Sequence, residues 1–168
     1  MSHFIATFFY VGHLRPAPGT WGSLAALPAG WLIYVLTGPW GLLAGVVLSY
    51  VLGVWATAVE TKGKENHDPS EIVIDEVCGQ WIALLPIAFG AARQDVDMLA
   101  LWPGWIAAFA LFRLFDITKW GPVGWADRMR GPTGVMLDDV IAGIFAAIGV
   151  LILAWFAHQG FLAQVNPA

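Results

Sequence analysis

Two pairs of adjacent carboxylates, Asp75-Glu76 and Asp138-Asp139, stand where apolar stretches of the chain begin. A carboxylate at the edge of an apolar helix is costly unless it is paired, protonated or bound to a cation. Small residues follow both pairs, Gly79 after the first and Ala142-Gly143 after the second. Small residues let helix backbones approach closely, so two such helices can gather four carboxylates into one cluster. That cluster cannot stay fully ionised without cations, and all-oxygen ligation suits Mg2+ or Mn2+. The pattern therefore predicts a metal site made by Asp75, Glu76, Asp138 and Asp139. A plainer reading makes Asp138 a helix cap, a position that Asp favours. Glu71 lies four residues before Asp75 and is expected on the same helical face.

A cationic set accompanies the carboxylates. Arg113, Asp116 and Lys119 recur every three residues, and Arg128 and Arg130 follow Asp127. Fixed cations beside carboxylates suit a phosphate ligand, whose oxygens a metal and Arg or Lys would share. Juxtamembrane positive charge that only sets topology is the plainer alternative. Pro18-Gly19-Thr20-Trp21-Gly22-Ser23 is a Gly-rich turn whose two hydroxyls, Thr20 and Ser23, open a helix. Such a turn can present backbone N–H groups to an anion. It lacks the Gly-Lys-Ser/Thr end of a phosphate-binding Walker loop, and Thr20 as a simple cap is the bland reading. His67 could exchange protons near the first charged patch, or simply be a solvated loop residue. No Arg lies six residues after Cys78, where Leu84 stands, so a cysteine-phosphatase loop is excluded and packing is the expected role.

The elements that must position these residues are strongly apolar. Hydrophobic residues make up 58% of the chain and charged ones 12%, against about 45–50% and about 25% in ordinary soluble domains. Mean hydropathy is +0.69. No Asp, Glu, Lys or Arg occurs in 16–59, 77–92, 98–112 or 140–168. The ten Trp fit a membrane–water boundary. A net charge of −4 with no basic stripe argues against nucleic acid as a partner. A single cysteine excludes an intrachain disulfide, and the first fifteen residues do not read as a cleaved signal peptide. The length suits one domain over 1–168.

Helices are expected near 22–36 and 40–59, broken at Thr37-Gly38-Pro39. A polar loop over 60–70 should lead into a helix capped by Asp68 or Ser70, carrying Glu71, Asp75 and Glu76 and bent or ended by Pro86 and Gly90. After a turn over 93–97, a return helix is expected over 98–115, bent near Pro103-Gly104, then loop and short helix over 116–137. A last helix should run from near Asp138 to about Phe156. The fold class expected is all-α, a compact helical bundle with several membrane-embedded helices; a soluble all-helical domain is the runner-up. If 16–59 and 77–112 each cross a bilayer twice, both charged patches share one side. Arg15, Lys62, Lys64, Arg113, Lys119, Arg128 and Arg130 would then face the cytoplasm, with Arg93 opposite.

Four blocks in one order carry a family resemblance over about residues 8–155. They are Pro18 to Ser23, Ile72-Val73-Ile74-Asp75-Glu76-Val77-Cys78-Gly79, Phe112-Arg113-Leu114-Phe115-Asp116-Ile117-Thr118-Lys119, and Met136-Leu137-Asp138-Asp139-Val140-Ile141-Ala142-Gly143. Together they resemble phosphatidylglycerophosphatase A. The resemblance implies Mg2+-dependent hydrolysis of phosphatidylglycerophosphate to phosphatidylglycerol and phosphate at the bacterial inner membrane. The family often has Lys-Pro where this chain has Lys119-Trp120, so the loop after Lys119 is a departure. With the residue pattern, the resemblance points to a mechanism. Asp75, Glu76, Asp138 and Asp139 would hold the metal. Arg113, Lys119 and Arg128, with Thr20 and Ser23, would bind the phosphate. A carboxylate not bound to the metal, or Asp116 or Asp127, would act as general base; Asp75 and Asp139 count with these as catalytic, and a covalent aspartyl-phosphate is the variant within the same class. The rival from another class is a transporter or cation-coupled carrier with an acidic site, whose charges should fall nearer the middle of its spans.

Overall fold

The computed structural model of the chain describes residues 1–64 and 69–165; His67 and Asp68 lie outside the described residues. Six α-helices are present among those residues, with no strand: α1 (Ser2–Ala6), α2 (Pro18–Glu60), α3 (Ile74–Gln94), α4 (Trp102–Thr118), α5 (Pro122–Asp127) and α6 (Pro132–Val165). The class is all-α, as expected.

The expected break in α2 falls at Gly38, whose φ of 73° and ψ of −172° suit glycine and little else. A side chain there would meet nothing within 4 Å, so the demand for glycine is conformational. Both limbs then pack on one residue of α3. Trp81 Nε1 donates to the Ala26 carbonyl at 2.8 Å, and the Trp81 ring lies 3.5 Å from where a Gly45 side chain would start. Ile33 meets Gly45 across the bend at the same separation of 3.5 Å. The long helix thus folds back on itself, and both of its ends return to one end of the bundle.

Several boundaries differ from expectation. The first limb begins at Pro18 rather than near 22. Helix α3 begins at Ile74, so Glu71 and Ser70 precede it in a turn. The cause lies far off in sequence: the Val73 N–H donates to the Ala6 carbonyl at 2.8 Å, and Gly12 lies against the Glu71 carbonyl, with no room for a Cβ. This N-terminal support pins the segment outside a helix. Pro86 and Gly90 do not end α3, which runs on to Gln94. Pro103 starts α4 instead of bending it, because its missing N–H costs nothing in a first turn. Helix α4 continues to Thr118, through Asp116.

The largest shift is in α6. It starts at Pro132, after Gly131 at φ 99°, and runs past Phe156 to Val165. Gly-Pro is the stop-and-start signal that sets this boundary. Asp138 and Asp139 therefore lie about two turns inside α6, and the reading of Asp138 as a cap does not hold.

Helix α3 is the centre of the bundle, packed on α2 and α6 and more lightly on α4. Its Val77, Cys78, Ile82 and Leu84 are buried with Leu42, Phe112 and Met136. The Cys78 thiol donates to the Val46 carbonyl at 3.7 Å, a packing role. By length and composition, four helical stretches could cross a membrane: Pro18–Glu60, Ile74–Gln94, Met98–Thr118 and Pro132–Gln159. Leu36, Trp40, Val47, Ile106, Leu151 and Phe156 are all exposed on the outside. Water-facing surfaces rarely carry so large an apolar belt, so lipid is the solvent it suits and the soluble runner-up is disfavoured.

Candidate active site

One end of the bundle holds a cavity of about 350 Å³. Its charged lining is Asp75, Glu76, Arg113, Asp116, Lys119, Asp138 and Asp139; Ala17, Pro18, Gly19, Thr20, Ser70, Ile72 and Ile117 complete it. The start of α2, the start of α3, the end of α4 and the second turn of α6 meet here. Residues more than a hundred positions apart thus share one wall.

The closeness of α3 and α6 comes from two glycines. A Cβ on Gly143 would overlap the Gly79 carbonyl, and one on Gly79 would lie 2.5 Å from the Asp139 carbonyl. The helices therefore run in the same direction, with Gly79 beside Gly143 and, one turn earlier on each, Asp75 beside Asp139. An oxygen from each of Asp75, Glu76 and Asp139 lies within 4.8 Å of the others, so these three could hold a metal ion. Asp139 is only 3% exposed and Asp75 7%. Glu76 Oε2, Asp138 Oδ1 and Asp139 Oδ1 are buried without a hydrogen-bond partner. Buried carboxylate oxygens without donors are costly, and a divalent cation would satisfy them. The donor set thus fits a hard cation.

Asp138 faces a different neighbour from the one expected. Its Oδ2 accepts from Lys119 Nζ at 3.1 Å, and Lys119 also pairs with Asp127. Partial burial opposes the charged form of Lys119, but Asp127 and Asp138 outweigh it and raise its pKa above the usual lysine value. Lys119 has φ 49° and caps α4 in the left-handed region, which turns its side chain back over α6. Its carbonyl lies against Gly124 of α5, with no room for a Cβ there.

Arg113 pairs with Asp116 at 2.5 Å and donates to Ser23 Oγ at 3.3 Å. Ser23 in turn donates to the Gly19 carbonyl at 2.8 Å and is fully buried. Ser23 therefore holds Arg113 in place and does not reach the cavity, whereas Thr20 lines it. Gly19 is needed for close approach, since a Cβ there would overlap Glu76 Oε1. Asp127 and Arg128 are exposed on the far side of Lys119, outside the cavity lining.

The residue pattern gave no site role to Ser70, Ile117 or Gln80. Ser70, expected as a cap, lines the cavity and accepts from Arg15 at 3.2 Å. Gln80 is fully buried with both side-chain polar atoms unpartnered, one turn past Glu76. A lone amide within the apolar run 77–92 was the available signal.

A polar cavity of clustered carboxylates and fixed cations, set in an apolar helical bundle, suits a divalent cation and a phosphorylated ligand. The chain belongs to the phosphatidylglycerophosphatase A family, whose profile matches residues 4–154. It is 37% identical over 155 residues to phosphatidylglycerophosphatase A of Haemophilus influenzae, covering 92% of this chain and 89% of that protein. It is 38% identical over 152 residues to phosphatidylglycerophosphatase A of Escherichia coli, covering 89% and 80%. A Bacteroides thetaiotaomicron protein, provisionally named a phosphatidylinositol-3-phosphatase, is 38% identical over 156 residues, covering 90% and 92%. No solved structure matches the chain. Family membership sets the transporter reading aside.

Proposed function

We propose that the chain is a single-domain, Mg2+-dependent phosphatase that converts phosphatidylglycerophosphate to phosphatidylglycerol and phosphate at the cytoplasmic face of the bacterial inner membrane. The observation that carries this reading is the convergence of Asp75, Glu76 and Asp139 beside Arg113 and Lys119 at one end of apolar helices. A phosphate monoester on a lipid head group lies at that boundary. Arg15, Lys62, Lys64, Lys119, Arg128 and Arg130 belong to the segments at the cavity's end, and Arg93 ends α3 at the other. The positive-inside rule supports a cytoplasmic site on that distribution.

Asp75, Glu76 and Asp139 would hold the metal, with Asp138 next to them. A bound Mg2+ would offset charge on the phosphoryl oxygens and lower the pKa of a coordinated water. Arg113 and Lys119 donate hydrogen bonds to the same oxygens as charge builds on them. Asp138 keeps Lys119 aimed inward, and Ser23 does the same for Arg113. Asp116 lines the cavity, held by Arg113, and accepts the proton of the attacking water. Thr20 contributes a hydroxyl and the backbone of the α2 start.

The test is phosphate release by purified protein from phosphatidylglycerophosphate, phosphatidylinositol 3-phosphate and phosphatidic acid, each with EDTA and with Mg2+. Preferred, Mg2+-dependent turnover of the first supports the assignment. Preference for the second, the lipid in the provisional name of the Bacteroides relative, would move the substrate to an inositol lipid. Full activity in EDTA would remove the metal.

A further inference from the structure

Away from the cavity, the N-terminal segment brings two imidazoles and a carboxylate together at the end of α2. His3 Nε2 and His13 Nε2 lie 3.0 Å apart. His3 Nδ1 lies 3.2 Å from Glu60 Oε2, and Ser2 Oγ donates to Glu60 Oε1 at 2.6 Å. The Tyr10 ring stacks on His13 at 5.9 Å with an interplanar angle of 20°. None of these groups lines the proposed active site.

The backbone works to produce this meeting. Phe8, Phe9 and Tyr10 have φ of 44°, 58° and 67°, three consecutive non-glycine residues in the left-handed region. Such conformations are unfavourable and persist where the surroundings over-determine them. Here they reverse the chain between α1 and the short 3₁₀ turn Val11–His13, which carries His13 back onto His3.

We propose that His3 and His13 form a binding site for a borderline transition-metal dication of the Zn2+ class, chemically distinct from the oxygen cluster in the cavity. Two imidazoles on a tetrahedral Zn2+, each about 2.0–2.1 Å from it, sit about 3.3 Å apart, close to the separation here. A ligating His usually gives its other ring N–H to a carboxylate, which fixes the tautomer; Glu60 stands in that place behind His3. Imidazole nitrogens select Zn2+ over Mg2+, whereas carboxylates suit Mg2+. His13 is exposed, so water can fill the remaining positions. The ion would staple residue 3 to residue 13, and the Glu60 contacts of Ser2 and His3 tie that pair to the end of α2. The same segment supports α3, through the Ala6 carbonyl on Val73 and Gly12 on Glu71, so the staple would steady the turn leading to Asp75.

The test is equilibrium dialysis of tag-free, full-length protein against ZnCl2 in excess MgCl2, with thermal melting in parallel. One Zn2+ per chain and a Zn2+-dependent rise in Tm are expected for wild type. His13→Gln should weaken Zn2+ binding at least tenfold and abolish the rise in Tm. Glu60→Gln should weaken binding about tenfold, which a merely structural role for these residues would not produce. Asp139→Asn should leave Zn2+ binding unchanged. Equal Zn2+ affinity in wild type and His13→Gln, both melting alike without Zn2+, would overturn the proposal. So would Zn2+ binding that Asp139→Asn alone removes.

Discussion

Asp75 and Glu76 occupy the first turn of α3, where backbone N–H groups lack intrahelical partners, whereas Asp138 and Asp139 lie two turns inside α6, where each N–H is already engaged. Asp75 Oδ1 accepts from the Glu76 N–H at 3.0 Å, so its own helix supports Asp75, while Glu76 Oε2 is buried without a partner. The second pair has no such help. Asp138 relies on Lys119, and Asp139 has a buried oxygen without a partner. The difference teaches that the two doublets are not equivalent ligand pairs. One is placed by a helix start, and the other by a side-chain cation and by how closely two helices cross.

Substitutions that strike one pair and spare the other test this contrast. The largest effect is expected from Asp139→Asn, which keeps shape but removes charge where three carboxylates meet. Mg2+-dependent phosphate release should fall about a thousandfold or more, as on losing a principal catalytic group. Turnover near wild type would take Asp139 out of the site. Lys119→Ala should lower kcat by about a hundredfold and leave Asp138 buried without its cation. Lys119 has a raised folded pKa, so its pair stabilises fully below the unfolded value, about 10.4, and is lost as pH rises through the folded value. The stability gap between wild type and Lys119→Ala should thus stay flat to about pH 10 and narrow above it, as denaturant melts across pH would record.

Gly143→Ala acts on the crossing alone. The added methyl meets the Gly79 carbonyl, which should cost about 1–3 kcal/mol in stability. Phosphate release should drop about tenfold to a hundredfold as the carboxylates shift apart. An unchanged Tm and rate would mean that the crossing has slack. The smallest effect belongs to Asp127→Asn. That carboxylate is exposed, and such pairs contribute about 0.2–1 kcal/mol. A rate within about threefold of wild type is expected; a larger loss would place Asp127 in the chemistry.

Much of this was legible in the residue order. Charge-free runs gave the apolar helices, and Thr37-Gly38-Pro39 gave the break in α2. Carboxylates followed by glycine gave the meeting of α3 and α6. The boundaries that failed depended on partners distant in sequence. Helix α3 starts late because Ala6 and Gly12 hold the preceding turn. Helix α6 starts early because Gly131-Pro132 is a local boundary that the doublet beyond it overshadowed. The pairing of Lys119 with Asp138 needs the left-handed cap of α4, which a lysine does not advertise. Ser23 was expected on the phosphate and instead braces Arg113, a distinction that only the direction of its hydroxyl reveals.

Three helices, α2, α3 and α6, begin at the end of the bundle that holds the cavity; α4 finishes at its wall, and α2 finishes at the same end but outside the cavity lining. Each amino end bears about half a positive charge and each carboxyl end about half a negative one. The rim therefore favours anions through its peptide dipoles alone, before Arg113 or Lys119 is counted. Some attraction for a phosphorylated head group would then survive removal of either cation, because it is built into the direction in which the chain runs.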